Sequence, residues 1–201
     1  GCTRCFDDCP FGAINMVPRT DGRAYESEPV VNVNQCTSCG ICVGSCPTST
    51  PFRRSGPLQP GIELPDRSIA DLRDELVAGT EKARVVVFAC DTGDTDELEQ
   101  DGVKVIRLPC VGMLPPSFVD FALARHHAEG VMIAGCAEGD CQHRLGNDWT
   151  IERMARRRDP YLRQRVDERR VCLSWLPWGS TRRRQRALAE FRAALSEIDD
   201  E

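Results

Sequence analysis

Residues 36–47 read CTSCGICVGSCP, a run in which cysteines recur at intervals of two, two and three residues and a proline follows the last. A [4Fe-4S] cluster requires four thiolate ligands, and this spacing, C-x2-C-x2-C-x3-C-P, supplies them in bacterial-type sequences. Short intervals let one turning backbone reach three corners of the cluster, whereas the cysteine before the proline ligates a neighbouring cluster. Gly40 and Gly44 allow the backbone to approach closely. The run therefore predicts a loop-rich fold organised by metal sites.

A second, shorter run occupies residues 2–10, CTRCFDDCP, and repeats this pattern without its first cysteine. That cysteine would stand directly before Gly1, so we expect the chain to be a fragment whose upstream part supplies the ligand. Crossed ligation then assigns the cysteines to two ferredoxin-type [4Fe-4S] clusters. One cluster takes Cys9, Cys36, Cys39 and Cys42, and the other takes Cys2, Cys5, Cys46 and the upstream ligand.

The 12 cysteines of this 201-residue chain are compatible with a disulfide scaffold or with a metalloprotein. Disulfide frameworks belong to small secreted domains, whereas tight clusters at two- and three-residue spacing favour metal binding in a reducing, cytoplasmic compartment. Zinc is a weaker alternative, because zinc ribbons use pairs of C-x2-C rather than a repeated triple run ending in Cys-Pro. A [3Fe-4S] cluster on the incomplete run is the alternative if Gly1 is the true start.

Charge and missing motifs exclude several function classes. The net charge of −5 argues against bulk nucleic-acid binding. The apolar runs are shorter than the roughly 18 residues of a membrane helix, so membrane contact at the cytoplasmic face is expected only through a partner or the upstream segment. Nicotinamide, ATP and hydrolase motifs are absent from the sequence. We therefore expect no self-contained catalytic site for an organic substrate.

The pattern changes along the chain. Residues 1–52 are predicted as a ferredoxin-type domain, 53–65 as a proline-rich linker, and 66–201 as an α/β domain. Residues 53–201 are expected to fold on their own. In the third part, predicted strands at 85–90, 103–110, 131–136 and 171–176 alternate with predicted helices at 66–79, 117–129, 147–158 and 180–198. This alternation indicates an open parallel sheet with helices on its faces.

Cysteines follow three of these strands. Cys90, Cys110 and Cys136 each end a predicted strand, and Cys141 lies in the loop after the third. Because ligands bind at the carboxyl ends of parallel strands, these thiols are expected to converge. Four thiolates suit either a [2Fe-2S] cluster or zinc. Cys172 is interpreted as a core residue, and the arginine runs 156–158 and 182–184 as solvated helix faces.

Four segments carry a family resemblance: VFAC (87–90), RLPCVG (107–112), GVMIAGCAEGDCQHRLGN (130–147) and RVCLSW (170–175). In them the chain resembles the methyl-viologen-reducing hydrogenase delta subunit family, the hydrogenase iron–sulfur subunit. The resemblance implies a [2Fe-2S] cluster held by Cys90, Cys110, Cys136 and Cys141. It also implies electron passage between a hydrogenase-like module and a heterodisulfide-reductase-type flavoprotein. The sequence departs from the family at Gly93, where a second cysteine is usual, and at Gln142, which precedes His143.

These observations predict an iron–sulfur electron-transfer subunit or domain of a larger oxidoreductase complex, which relays electrons between [4Fe-4S] clusters and a [2Fe-2S] cluster. The predicted partners are other redox subunits or domains: a flavoprotein, a hydrogenase or a quinone-linked module. Two alternatives remain open. One is an iron–sulfur redox-sensing regulatory module, and the other is a ferredoxin fused to a structural zinc domain.

Overall fold

A computed structural model describes the chain over residues 1–23, 25–52, 60–78, 83–93 and 95–199. The helices are α1 (Arg4–Asp7), α2 (Ile41–Ser45), α3 (Ile69–Val77), α4 (Pro116–Ala124), α5 (Gly146–Met154) and α6 (Thr181–Asp199). The strands are β1 (Ile14–Pro18), β2 (Ser27–Val31), β3 (Val85–Cys90), β4 (Val103–Leu108), β5 (Gly130–Gly135) and β6 (Val171–Trp175). Short 3-10 turns lie at Asp96–Leu98, Val111–Met113 and Glu168–Arg170.

In the described ranges, the last four strands form a parallel sheet in the order β4-β3-β5-β6. Val85 of β3 pairs with Val103 on one side and with Gly130 on the other. Every residue of β3 and β5 is buried, as expected for central parallel strands covered by helices on both faces. The predicted fold class, an open parallel α/β sheet preceded by a small ferredoxin-like part, is confirmed.

Alternate side chains of β3 enter different cores. Val86 and Phe88 pack in a cluster that also contains residues of α3, α4 and α5. Val85 and Val87 pack on the opposite face in a second cluster, against Leu188 and other residues of α6. No helix in the described residues, the 19-residue α6 included, is long and apolar enough to cross a membrane.

Helix starts follow the sequence more closely than helix ends do. Ser68 caps α3 in a capping box with Asp71, with both hydrogen bonds at 3.0 Å. The predicted helices over 117–129 and 147–158 are wrong at their C-terminal ends, because α4 ends at Ala124 and α5 at Met154. His126 and Arg156 adopt left-handed backbone conformations with φ of 57° and 58°. These turns end both helices early, and the first lets the chain enter β5.

The N-terminal part is built around the cysteine runs. Strands β1 and β2 form an antiparallel pair with Ile14 opposite Val31. Helix α2 begins after Gly40, whose φ of 74° favours glycine. A Cβ atom at Gly40 would also come within 2.7 Å of Met113 Cγ. The sequence therefore needs glycine here for two independent reasons.

The two parts share one hydrophobic core. Ile41 and Val43 of α2 are fully buried in the same cluster as Phe88 and Leu108 of the parallel sheet. Ile62, from the described end of the predicted linker, packs beside Cys5 in a smaller cluster; residues 53–59 lie outside the described residues. Separating the parts would expose this apolar surface, and the independent folding of residues 53–201 stays a prediction. The domain boundaries remain predictions.

We predict that Ile41→Ala destabilises the α/β part although the substitution lies in the N-terminal part. Truncating a buried isoleucine costs about 2–5 kcal/mol, at roughly 2–4 °C of melting temperature per kcal/mol. The tryptophans lie at positions 149, 175 and 178, so thermal unfolding followed by their fluorescence reports on the α/β part. Val33→Ala is the control, because Val33 is 80% exposed. An unchanged fluorescence transition in Ile41→Ala would contradict the shared core.

Candidate iron–sulfur site

Four cysteines of the two runs line one cavity of about 220 Å³: Cys9, Cys36, Cys39 and Cys42. The backbone N–H groups of Ala13 and Ser38 donate to the sulfurs of Cys9 and Cys36, at 3.2 and 3.4 Å. Burial raises the pKa of Cys42 to about 12, and neighbouring thiols, Cys39 first among them, add to the increase. The cavity therefore presents four soft ligands together with hydrogen-bond donors directed at sulfur.

The other three cysteines of the runs, Cys2, Cys5 and Cys46, gather beside this cavity. Burial raises the pKa of Cys5 to about 11, and the nearby Cys46 and Cys2 increase it further. Burial opposes ionisation of Cys46 as well, but hydrogen bonds from the Thr48 hydroxyl, at 3.1 Å, and from backbone N–H groups lower its pKa. The crossed ligand assignment of these seven cysteines stays a prediction.

In the α/β part, four thiols meet beyond the carboxyl ends of β3, β4 and β5. Cys110 is hydrogen-bonded to Cys141 and Cys90, and Cys136 to the same two residues, so the thiols form a ring. Cys90 and Cys110 are buried, at 2% and 1% exposed, whereas Cys136 and Cys141 are half-buried. The structure brings all four predicted side chains together, and their role as iron ligands stays a prediction.

Without a bound metal, the thiols of the ring differ in pKa. Hydrogen bonds with Cys141 and Cys90, aided by burial, raise the pKa of Cys110. Hydrogen bonds from Cys141 and Cys90 lower the pKa of Cys136. The hydrogen bond from Cys110 lowers the pKa of Cys90, but the one to Cys136 and burial outweigh it and raise the value to about 12. Cys136 therefore ionises more readily than Cys90 or Cys110.

The backbone approaches the ring closely at a glycine and is held in place by one amide side chain. The N–H groups of Val111 and Gly112 donate to Cys90 and Cys110 at 3.3 and 3.4 Å. A Cβ atom at Gly146 would lie 2.2 Å from Cys110 Sγ and 3.2 Å from Cys141 Sγ. Asn147 donates from Nδ2 to the Ala137 carbonyl at 3.0 Å and holds the loop that carries Cys136 and Cys141.

The two cysteine sites meet at a junction of close backbone contacts, formed by α2, the Val111–Met113 turn and the start of α5. A Cβ atom at Gly44 would come within 2.0 Å of the Gly112 carbonyl oxygen. A Cβ atom at Gly112 would meet Ile41 Cγ1 at 2.8 Å, and one at Gly146 would meet Ile41 Cδ1 at 3.5 Å. Ile41, next to Cys42, therefore reaches the glycine that lies against Cys110.

A buried ion pair spans the same junction, and sequence reasoning missed it. Arg153 Nη2 donates to Asp8 Oδ2 at 2.7 Å, and Arg153 Nη1 donates to the Gly112 carbonyl at 3.0 Å. Arg158 also donates to Asp8, at 2.5 Å, and stacks on Trp149. The available sequence signal was the acidic residue directly before Cys9, because a carboxylate beside a metal ligand requires a cationic partner when it is buried.

The remaining candidates divide between expected and corrected roles. Cys172 is half-buried against the α6 cluster, on the opposite face of the sheet from the thiol ring. The arginine runs are not uniformly solvated: Arg184 is 1% exposed and donates to the Leu176 carbonyl at 2.6 Å. His143 donates to the Pro109 carbonyl, next to Cys110. Within the described residues, no group of three or more His, Cys, Asp or Glu side chains has the arrangement that holds a single metal ion.

A cysteine-lined ferredoxin-type unit packed on a parallel sheet with four thiols at its edge defines an iron–sulfur electron-transfer protein. Residues 1–50 match the model of the 4Fe-4S dicluster domain. The chain belongs to the methyl-viologen-reducing hydrogenase delta subunit family, whose model matches residues 85–199. Both the predicted family and the ferredoxin-type N-terminal part are thereby confirmed.

Relatives include hydrogenase subunits and heterodisulfide reductase subunits. An iron-sulfur subunit of the F420-non-reducing hydrogenase of Archaeoglobus profundus is 30% identical over 96 residues, which cover 48% of this chain and 69% of the relative. The corresponding iron-sulfur subunit of the vhc hydrogenase of Methanococcus voltae is 28% identical, with 46% and 70% covered. One subunit of a CoB-CoM heterodisulfide reductase of Methanosarcina acetivorans is 26% identical over 142 residues, covering 66% of this chain and 18% of that protein.

We predict that Gly146→Ala prevents metal loading at the thiol ring, because the added methyl group would overlap Cys110 Sγ. Iron content and visible absorption of the anaerobically purified chain measure the loss. Gly61→Ala is the matched control, since its Cβ atom would lie 3.7 Å from Cys46 Sγ, an ordinary contact. Equal iron content in the two variants would show that the close approach at Gly146 is not required.

A second prediction concerns pH. The pKa values of Cys5, Cys42 and Cys90 are raised to about 11, 12 and 12 in the folded, metal-free chain, from 9.0. A raised folded-state pKa contributes stability below pH 9 that is lost as pH rises towards these values. The melting temperature of the metal-free chain should therefore fall above about pH 9. Cys42→Ser and Cys90→Ser should reduce this pH dependence, and an unchanged slope in both would contradict the prediction.

Proposed function

We propose that this chain relays single electrons between its ferredoxin-type [4Fe-4S] clusters and a third, [2Fe-2S] cluster held by Cys90, Cys110, Cys136 and Cys141. The clusters supply reversible one-electron oxidation and reduction. The chain's own residues hold them, exclude water from them and keep them close together. The carrying observation is the junction, where Ile41 beside Cys42 reaches the glycine that lies against Cys110.

The donor set supports the cluster assignment at the thiol ring. Thiolates are soft ligands that suit iron–sulfur clusters and zinc alike. Two backbone N–H donors point at Cys90 and Cys110, and such hydrogen bonds tune cluster potentials. Gly146 leaves room beside the sulfurs that a larger residue would fill. The position of the ring next to a ferredoxin-type unit favours a redox cluster over structural zinc.

For the ferredoxin-type part we propose the crossed ligand sets. Cys9 joins Cys36, Cys39 and Cys42, with which it lines one cavity. Cys46 joins Cys2 and Cys5, which lie near it. A [4Fe-4S] cluster takes four ligands, so these three cysteines form an incomplete set. We further propose residues 1–52 and 66–201 as the two domains, connected by 53–65.

We also propose partners that carry the substrate chemistry. Relatives are named as subunits of a hydrogenase and of a heterodisulfide reductase, so a hydrogenase-type or flavoprotein subunit is the expected neighbour. The half-buried thiol Cys136 lies at the edge of the ring that faces Trp178, with which it lines a cavity, and Trp178 is 80% exposed. A partner that exchanges electrons with the ring approaches this edge. The expected compartment is the cytoplasm.

The test compares cysteine variants of the whole chain, purified without oxygen. Cys136→Ser should remove about two irons and the spectroscopic signature of a [2Fe-2S] cluster, whereas Cys9→Ser should remove about four and leave that signature intact. Cys172→Ser is the matched control and should keep all the iron, because Cys172 lies on the other face of the sheet.

Three outcomes would contradict the proposal. Zinc at the ring in place of iron would favour the structural zinc domain. A [2Fe-2S] signature that survives Cys136→Ser but disappears with Cys172→Ser would show that Cys172, and not Cys136, is a ligand. A ring cluster that is destroyed by one cycle of oxidation and reduction would favour the redox-sensing module over the relay.

A further inference from the structure

Arg153 is a buried cation that contacts one residue beside each of the two cysteine sites. Its side chain is fully buried, and Asp8, its partner, is 7% exposed. One guanidinium nitrogen donates to Asp8, which directly precedes Cys9, and another donates to the carbonyl of Gly112, whose N–H donates to Cys110. The guanidinium group therefore lies between Asp8, which precedes Cys9, and the turn whose N–H groups donate to the thiol ring.

Two guanidinium groups and two carboxylates meet at this position. Asp8 accepts hydrogen bonds from Arg153 and from Arg158, and Arg158 also pairs with Glu152 at 3.3 Å, so Asp8 is the only carboxylate that contacts Arg153 among the ion pairs described. Arg153 Nε has no hydrogen-bond partner among the described residues. Burying an ion pair costs several kcal/mol per ion, and apolar residues of similar volume often stabilise a fold as well or better. Stability alone therefore does not account for an arginine here.

The contacts of Arg153 point to an effect on the clusters. Its hydrogen bond to Gly112 fixes the Val111–Met113 turn, whose N–H groups donate to Cys90 and Cys110. Hydrogen bonds to cluster sulfurs and net charge nearby both set reduction potential. Reduction adds an electron, and a nearby fixed cation stabilises that negative charge, most strongly where water is excluded.

We propose that Arg153 is a positioning residue shared by the two sites, and that its charge and its hydrogen bond to Gly112 raise the reduction potentials of the cluster at Cys9 and of the cluster at the thiol ring together. This inference rests on the proposed function for the ring, and on the 4Fe-4S dicluster match for the other site. Because one residue raises both potentials, the difference in potential between the two clusters is largely preserved.

The experiment uses the whole chain and redox titrations followed by electron paramagnetic resonance. Arg153→Met should lower both midpoint potentials. At a fixed solution potential, the ratio of reduced to oxidised cluster should fall about tenfold at each site, which corresponds to about 59 mV for one electron. Arg153→Lys keeps the charge and should restore part of both shifts. Arg184→Met is the matched control: Arg184 is equally buried and donates to the carbonyl of Gly135, beside Cys136, so it should affect the ring alone.

Asp8→Asn retains Arg153 and should shift the potentials in the opposite direction. Removing the carboxylate leaves the guanidinium charge in place, so both potentials should rise. Lower thermal stability with unchanged potentials in Arg153→Met, or shifts in the same direction in Arg153→Met and Asp8→Asn, would overturn the proposal and leave a structural clamp. If Arg153→Met fails to fold, unshifted potentials in Asp8→Asn overturn it equally.

Failure of the proposed function gives a different result. A ring without iron would produce no [2Fe-2S] signal in the unmodified chain or in any variant. The cluster at Cys9 would still report on Arg153, because Asp8 lies beside that cysteine. A lowered potential there in Arg153→Met would support the charge effect at that site and limit the inference to it, whereas an unchanged potential would overturn the inference.

Discussion

Close packing of backbone against backbone at the junction of the two parts is the constraint on which the structure depends. A Cβ atom at Gly44 would approach the Gly112 carbonyl oxygen to 2.0 Å, and a Cβ atom at Gly146 would approach Cys110 Sγ to 2.2 Å. Side chains larger than hydrogen at these positions would separate the two sets of cysteines. Because Ile41 fills the space between them, one apolar side chain belongs to both the metal-binding part and the core of the sheet.

Burial of many thiols creates an electrostatic problem that the surrounding residues address. Thiolates carry negative charge, and removing charge from water is costly unless it is compensated. In the metal-free chain the raised pKa values of Cys5, Cys42 and Cys90 keep these thiols protonated, whereas hydrogen bonds lower the pKa values of Cys46 and Cys136. Backbone N–H groups from the Val111–Met113 turn and buried arginines supply positive charge close to the sulfurs, although the whole chain is acidic.

The thiol ring has a buried side and an accessible side. Cys90 and Cys110 lie under the junction with the ferredoxin-type part, whereas Cys136 and Cys141 belong to a loop at the protein surface. This arrangement suits the proposed relay, in which one side of the ring lies close to the ferredoxin-type part and the other is open to a partner. The sheet provides it by ending neighbouring parallel strands at the same edge.

The sequence by itself determined the ferredoxin-type part, the parallel sheet and the family, because cysteine spacing, apolar runs and glycine positions are local properties of the chain. It also located Cys90, Cys110, Cys136 and Cys141 at one edge, since the carboxyl ends of parallel strands meet there. Only the tertiary structure decided that the two parts share a core and that Arg153 pairs with Asp8, 145 positions away. A contact between distant residues leaves no periodic signal in a single sequence, and a buried arginine has the same local appearance as a solvated one. For the same reason, the ends of α4 and α5 depended on where the chain had to turn, which packing sets and propensity does not.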